Sequence, residues 1–319
     1  MGFTVGSLTN YVNEQSKELL VALQFEAETA SFANVQTGIK SSAALQLLAN
    51  SPVPQDGSSC AFNASGDTTF TQRTLSTSAI KYQDTLCPRT LETKWTQIML
   101  KKGQNYDDGF APEILRAIME DVMKQIKRRQ ETADWQGDTT AGSAYLNRYD
   151  GLIKIIAAAT TGGTATAVSG PVTTSNVRTI VSNIVSKIGT VSTLVGNPNV
   201  KIFCGYDFAE LYRQKIFADN LYHVNGQGNQ KGMMAEGSVH EIVPVHGLDG
   251  LLSSSGAAAP FVFALDPDRN LYLGVDMEGE DENAEVWYSQ DDQNVKYSFR
   301  FRRGWQIAYP SEIIEYGNS

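Results

Sequence analysis

The chain has 319 residues, of which 41% are hydrophobic and 19% charged, and its formal net charge is −9. This acidic balance argues against a sequence-reading nucleic-acid protein, because such proteins present clustered Lys and Arg to the phosphates. The charged fraction is below the roughly 25% that is usual in soluble domains. A chain that hides much of its surface in an assembly can tolerate so few charges.

Three cysteines, Cys60, Cys87 and Cys204, are few and odd in number, which favours free thiols in a reducing compartment. The N-terminus has no basic residue before Lys17 and no apolar segment like that of a signal peptide. The nearest approach to a membrane span, residues 152–159, is far shorter than the ~20 residues required. The sequence therefore predicts a protein that is made and kept in a cytoplasm.

Residues 1–50 are predicted to form an arm, with one helix over Val12–Ala30 and a shorter one over Ser42–Ala49 that ends before Pro52. Residues 51–98 are rich in Thr and Ser and predict two long, mostly polar strands in a projecting hairpin. A two-stranded ribbon is barely stable alone in water. We therefore expect the hairpin to lie on a neighbouring subunit.

The clearest helical pattern covers Pro112–Trp135, where apolar residues recur on one stripe and a proline suits the first turn. We predict that this long helix is the spine of the main domain. A basic cluster, residues 124–129, lies in its C-terminal half. Contact with DNA is one interpretation of this cluster, and compensation of the helix dipole is the favoured one.

The Gly- and Thr-rich segment Thr160–Pro171 is predicted to be a linker to a second domain of mixed α+β structure. In this domain we predict two helices, one after an N-cap at Ser175 and one over Asp207–Lys215. We also predict strands over Val200–Cys204, His240–Val245 and the segments PFVFALD and LYLGV. The strongest strand signal runs from Val295 to Tyr309, with apolar residues at every second position except Arg303. We expect its aromatic face to pack on the spine helix.

Signatures of catalysis are nearly absent, since the sequence has no nucleophile elbow, phosphate loop or zinc-protease motif. The glycine-rich segment Gly226–Gly232 has the wrong spacing for a nucleotide loop and is interpreted as a surface loop. No cysteine or carboxylate pattern completes a metal site around the three histidines, His223, His240 and His246. The acidic segment Asp276–Glu285 lacks the alternating ligand positions of a calcium-binding loop, and it is interpreted as a solvated hairpin tip. We predict no enzyme activity, no cofactor and no metal.

The order of arm, polar hairpin, spine helix, inserted domain and returning strand resembles the major capsid protein of tailed bacteriophages, the Johnson or Hong Kong 97-type fold. Four segments strengthen the resemblance and are similar to capsid proteins of Bacteroidota-infecting, including crAss-like, phages. They are Ser65–Arg73 (SGDTTFTQR), Leu86–Trp95 (LCPRTLETKW), Trp135–Asp138 (WQGD) and Asn147–Ile156 (NRYDGLIKII).

The resemblance implies an α+β fold with four parts. These are an N-terminal arm at 1–50, an E-loop at 51–98, a P-domain at 99–171 and 284–319, and an inserted A-domain at 172–283. It also implies self-assembly as pentamers and hexamers into an icosahedral head that encloses double-stranded DNA, without enzyme activity. Implied partners are other copies of the chain, the portal, head auxiliary or decoration proteins, and packaged DNA without sequence-specific contact; no membrane is implied. The implied location is the virion shell, assembled in the bacterial cytoplasm.

Some relatives cross-link through an E-loop lysine, but no partner asparagine or activating glutamate can be matched to Lys81, so this chemistry is not carried over. We also expect no removable scaffolding segment before the arm. Two alternatives stay open at this point: an encapsulin-like shell around protein cargo, and a soluble binding protein or a hydrolase with a non-standard site. A co-purifying cargo peptide would favour the first, and a ligand-dependent melting shift of a monomer the second.

Two groups of residues are predicted to make contacts between subunits. The first is on the hairpin and the long strand and comprises Phe70, Arg73, Lys81, Tyr82, Arg300 and Arg302. The second is a loop expected at the capsomer axes and comprises Tyr222, Asn225, Gln227 and Asn229.

Overall fold

The computed structural model describes residues 28–58, 65–87, 112–140, 144–168, 170–219, 233–253, 260–276, 283–289, 291–292 and 294–317. Most of the predicted arm helix lies outside these residues, and so do the axis loop and most of the acidic segment 276–285. The helices are α1 (Pro112–Gln136), α2 (Leu152–Ala157), α3 (Val177–Ile188), α4 (Tyr206–Ala218) and α5 (Pro267–Asn270). Short 3-10 helices cover Ala30–Phe32, Ala144–Asn147, His246–Leu248, Leu251–Ser253 and Pro310–Glu312.

The predicted spine helix is confirmed as α1, which ends at Gln136. The helix ends there because the later segment around Gly151 packs against its C-terminus: the Gly151 N–H donates to the Gly137 carbonyl at 2.8 Å. A Cβ on Gly137 would lie 2.5 Å from the Tyr149 carbonyl oxygen, and one on Gly151 would lie 2.6 Å from the Trp135 carbonyl oxygen. Both positions therefore require glycine, which explains the glycines in the segments WQGD and DGL.

The main sheet holds β12 (Asn294–Ile307) at its centre. On one side β12 pairs antiparallel with β10 (Leu271–Val275) and β11 (Asn283–Ser289), and on the other side with β4 (Ser78–Leu86). A short strand, β1 (Asn34–Gln36), runs parallel to β10. The predicted long strand is thus confirmed, with one parity buried: Val295, Tyr297, Phe299, Phe301, Arg303, Trp305 and Ile307. Phe301 and Trp305 of this strand share one core with Trp135 of α1.

A second sheet has the order β5-β13-β9-β6-β8-β7 among the described residues. Its strands are β5 (Gly163–Thr164), β6 (Lys201–Cys204), β7 (Met233–Met234), β8 (Glu241–Pro244), β9 (Pro260–Leu265) and β13 (Ile314–Gly317). Helices α3 and α4 share the second core with these strands. Their apolar stripes explain this packing, because α3 buries Val177, Ile180, Val181, Ile184 and Ile188.

The two sheets exchange strands across the predicted domain boundaries. β10, from the predicted A-domain, pairs with β12 of the predicted P-domain. In the other direction, β13 and β5 lie in the second sheet, where β13 pairs with β9. The predicted linker Thr160–Pro171 therefore contributes a strand, and the predicted N-cap at Ser175 is replaced by Asn176. The Asn176 side chain bonds back to the Pro171 carbonyl at 2.9 Å, which fixes the entry into α3.

The predicted helix over Ser42–Ala49 is wrong. These residues form most of β2 (Ser42–Pro52), which pairs antiparallel with β3 (Gly66–Ser76) over its whole length. Leu45 and Leu47 are buried while Gln46 and Leu48 are exposed, so the segment follows the period of a strand. Pairing with β3 overrides the helix propensity of its Ala and Leu residues. Residues 51–98 do contain two long strands, β3 and β4, but the prediction that they form a hairpin with each other is wrong: β3 pairs with β2, and β4 joins the main sheet.

Candidate assembly surfaces

The hairpin of β2 and β3 has one anchored face and one free face. Leu45 and Leu75 are buried on the anchored face, together with Ile39 before β2. On the free face Leu48 lies directly opposite Phe70 in the strand register. These two side chains are 51% and 75% exposed. An exposed cross-strand apolar pair on a projecting ribbon is typical of a surface that becomes covered by another molecule.

The same hairpin carries a net charge of −1, from two aspartates and Arg73. Between Lys40 and Arg73 the sequence contains no basic residue and two aspartates, Asp56 and Asp67, both exposed. The side chain of Asp56 accepts hydrogen bonds from Ser58, which lower its pKa. We name the segment 42–76 the acidic hairpin. It combines negative charge with exposed apolar side chains.

A buried ion pair joins α1 to the main sheet. Nε and Nη2 of Arg303, the one polar residue on the aromatic parity of β12, donate to the Asp134 carboxylate at 2.9 and 2.5 Å. Both side chains are 0% exposed. The Tyr149 hydroxyl donates to the same carboxylate at 2.5 Å, and burial beside Asp134 raises the pKa of Tyr149. Since a buried charge must be paired, these three residues form a junction that fixes α1 on the sheet.

A second buried carboxylate, Glu131, holds the first described residues against α1. The backbone N–H of Thr29 donates to Glu131 at 3.2 Å, and its hydroxyl donates to the same carboxylate. The Trp135 indole N–H donates to the Thr29 hydroxyl at 2.7 Å. Burial, together with the nearby Asp134, raises the pKa of Glu131 to about 7. Glu131 therefore titrates near neutral pH at the point where the N-terminal segment enters the domain.

A cleft of about 830 Å³ lies between the C-terminal half of α1, the segment 145–149 and the strands β4 and β12. Its apolar wall includes Ile80, Ala133 and Phe301, and Tyr82 stacks on Phe301 with ring centroids 5.9 Å apart. Burial and the nearby Asp134 raise the pKa of Tyr82 to about 12.

Four of the lining residues are cationic: Lys81, Arg129, Arg148 and Arg300. Lys81 and Arg300 have the strand parity opposite to that of the wall residues Ile80, Tyr82 and Phe301, so their side chains point to the other face of the sheet. The Arg129 guanidinium lies 5.9 Å from the centre of the Tyr145 ring. Within the described part of the chain no carboxylate lines the cleft, and none of its four cations forms a salt bridge. We name this site the basic cleft.

The predicted contact residues fall into three places. Phe70 and Arg73 lie on the acidic hairpin, where burial lowers the pKa of Arg73. Tyr82 lies in the basic cleft, whereas Lys81 and Arg300, directly opposite each other in the register, have the other strand parity at its edge. Arg302 instead donates to the Lys40 carbonyl at 2.7 Å within its own chain. The four axis-loop residues, Tyr222, Asn225, Gln227 and Asn229, lie outside the described residues.

The described residues show no cluster of three or more His, Cys, Asp or Glu side chains that could hold a metal ion. His240 is buried, which lowers its pKa, and His246 bonds Asp249 through Nδ1 at 2.7 Å. Among the described helices, none is long and apolar enough to cross a membrane.

No protein-family model and no curated protein matches the chain. Its fold does match solved structures. A capsid chain of a native GTA particle aligns with a TM-score of 0.61 at 13% identity, covering 92% of this chain and 90% of that one. The chain has the phage capsid fold. A chain from Gordonia phage Cozz aligns with a TM-score of 0.58 at 14% identity, covering 92% of this chain and 86% of that one. A chain from a satellite phage P4 procapsid aligns with a TM-score of 0.59 at 10% identity, covering 95% of this chain and 92% of that one.

Several important residues of these surfaces are not predicted from the sequence. The sequence does not predict the Asp134–Arg303 pair, although Arg303 is the exception on an apolar parity. Leu48 was missed because its segment was assigned to a helix. Arg129 and Arg148 were not connected to Lys81 and Arg300, because the four belong to separate elements.

Proposed function

We propose that this chain is the major capsid protein of a tailed bacteriophage, which assembles as pentamers and hexamers into the icosahedral head around double-stranded DNA. The capsid fold over 92% of the chain carries this proposal. The acidic hairpin supports it, because Leu48 and Phe70 are exposed on a two-stranded ribbon and no other described residue covers them.

In this proposal the chain acts through the shape of its subunit and the contacts between subunits, and the protein is structural rather than enzymatic. Each subunit presents the acidic hairpin to a neighbour and receives a neighbour's hairpin in turn, in interfaces on the order of 2,000–5,000 Å². The predicted arm, E-loop, P-domain and A-domain organisation, and the axis loop around Tyr222, belong to this proposal. The portal, the decoration proteins and packaged DNA without sequence-specific contact are its further partners, and the virion shell is its location. The proposal of a Bacteroidota host rests on the four sequence segments 65–73, 86–95, 135–138 and 147–156.

The experiment is expression of the chain alone, followed by sedimentation and negative-stain microscopy. We expect closed shells or capsomer rings. The Leu48→Ser/Phe70→Ser variant should remain folded but lose at least ten-fold in the yield of assembled particles, because it removes the exposed apolar pair. The conservative Leu48→Met/Phe70→Leu variant is the matched control and should assemble like the parent. Normal shells from the serine variant would contradict the assigned role of the hairpin.

These substitutions are preferable to deletion of the whole ribbon. A deletion of residues 65–81 would also remove Leu75 and Ile80, which are buried in the fold, and the result would not separate misfolding from failed assembly.

A further inference from the structure

We infer that residues 28–33 form a proton-gated clasp, which holds to α1 while the Glu131 carboxyl carries a proton and opens when that carboxyl ionises. The inference concerns a single subunit and goes beyond the proposed function. It assigns a conformational switch to the point where residues 1–27 of the sequence join the domain.

The clasp has one anchor on α1 and one on β6. Glu131 accepts a hydrogen bond from the Thr29 N–H at 3.2 Å, and the Trp135 indole N–H donates to the Thr29 hydroxyl at 2.7 Å. Three residues later, the ring of Phe32 packs edge-on against Phe203 of β6, with ring centroids 5.7 Å apart. The clasp therefore ties the spine helix to the second sheet.

Glu28 supplies a third anchor, nearer the surface. Its carboxylate accepts hydrogen bonds from the His246 backbone N–H at 2.7 Å and from the Tyr206 hydroxyl at 3.1 Å. The His246 ring stacks on Tyr206 at 4.3 Å between centroids, and its Nδ1 lies 2.7 Å from a carboxylate oxygen of Asp249. The side chains of Glu28, His246 and Asp249 are all partly exposed. Water can replace these contacts at small cost, so this anchor does not prevent opening.

The anchor on α1 places a carboxylate where water does not reach it. Glu131 is 2% exposed. The turn 246–248 packs against it, since an added Cβ on Gly247 would lie 2.6 Å from the Glu131 carbonyl oxygen. Within the described part of the chain Glu131 has no salt bridge, whereas the neighbouring Asp134 is paired with Arg303. A buried carboxylate without a cation of its own is costly to ionise.

The charged and titratable groups around Glu131 set the direction of the switch. They are Glu28 on the clasp, Asp134 on α1, Arg303 on β12, Tyr206 on α4, and His246 and Asp249 in the turn beside Glu28. Burial, followed by the negative charge of Asp134, raises the pKa of Glu131 to about 7, although hydrogen bonds from Thr29 oppose this.

Opening the clasp admits water to the Glu131 carboxyl and returns its pKa toward the ordinary value of 4.5. The closed clasp therefore binds the proton more tightly than the open one. At low pH both forms are protonated and the clasp is closed. Opening becomes easier as the pH rises from 4.5 to 7, because the open form then loses its proton first.

Hydrogen exchange of the full chain measures the clasp directly. The probes are the backbone amides of Phe32 and Ala33, which donate to the Thr29 and Ala30 carbonyls within the clasp. Mass spectrometry gives their opening constant after correction for the intrinsic exchange rate at each pH. Between pH 5.5 and pH 8 this constant should rise on the order of 20-fold. Glu131→Gln keeps an acceptor for the Thr29 N–H but cannot ionise, so its constant should change by less than about three-fold.

His246→Gln is the matched control, because His246 is the other titratable side chain at the clasp whose charge would favour closure at low pH. This variant should keep a rise of about ten-fold or more. A rise that persists in Glu131→Gln would overturn the inference. So would a rise that disappears in His246→Gln, because the histidine would then be the switch.

Two results on the parent chain alone would also overturn the inference. One is an opening constant that is equal at both pH values. The other is exchange of the clasp amides no faster at pH 8 than exchange of the amides of β12, because the segment would then open only with the whole fold. None of these measurements requires assembly, so a parent chain that forms no shells would contradict the proposed function and leave the clasp standing.

Discussion

Replacement of Arg303 by methionine should destabilise the subunit far more than replacement of any exposed arginine. Methionine keeps much of the volume but leaves the Asp134 carboxylate buried without its cation, with only the Tyr149 hydroxyl beside it at 2.5 Å. Removing one partner of a fully buried ion pair costs about 3–5 kcal/mol. The Arg303→Met/Asp134→Leu variant should recover most of this loss, because no unpaired charge is then left in the core.

The assay is urea unfolding of dissociated subunits, followed by tryptophan fluorescence. With a urea slope of about 3 kcal/mol/M, the single variant should lower the midpoint by on the order of 1 M. The matched control is Arg178→Met, which removes a bidentate pair with Glu236 at a side chain that is 44% exposed. Exposed pairs contribute about 0–1 kcal/mol. A loss below about 1 kcal/mol for Arg303→Met would refute the reasoning that the junction fixes α1 on the sheet.

Two further predictions concern buried positions. The pKa of Glu131 is about 7 in the folded chain and about 4.5 in the unfolded one, so the folded state binds the extra proton between these values. The unfolding free energy should therefore fall as the pH rises from 5 to 8, by up to about 3 kcal/mol, and Glu131→Gln should remove this slope. A Cβ on Gly304 would lie 1.9 Å from the Ser76 carbonyl oxygen, so Gly304→Ala should cost about 1–3 kcal/mol.

Each of these has a clear contrary result. An unchanged pH slope in Glu131→Gln would show that another group causes it. Gly57 has no atom within 4 Å of an added Cβ, so Gly57→Ala is the control for Gly304→Ala and should leave the urea midpoint unchanged. A midpoint for Gly304→Ala equal to that of the control would contradict the close approach of β12 to the end of β3.

The elements with a strong local period were predictable from the sequence. α1 has its 3.6-residue stripe, and β12 alternates because one of its faces is covered along its whole length. The segment Ser42–Ala49 was not predictable in this way. Its Ala and Leu residues favour a helix, and its strand partner, β3, lies beyond a long connection. Local propensity cannot report such non-local pairing.

The surfaces were less predictable than the fold. Phe70, Lys81, Tyr82 and Arg300 were singled out from the sequence, yet only the structure brings Arg129 and Arg148 to the same cleft. The exchange of β10 and β13 between the sheets escaped prediction for the same reason: strand order depends on three-dimensional pairing, and the sequence pattern reports only that a strand exists. Arg303 carried a usable signal, since a charge on an apolar parity implies a buried partner.

Negative-stain microscopy of the chain expressed alone tests the central claim most directly. The account predicts closed shells or rings of subunits in the parent protein, and their loss in the Leu48→Ser/Phe70→Ser variant. A parent protein that stays a stable monomer at every concentration and salt condition, with Leu48 and Phe70 open to water, would contradict it.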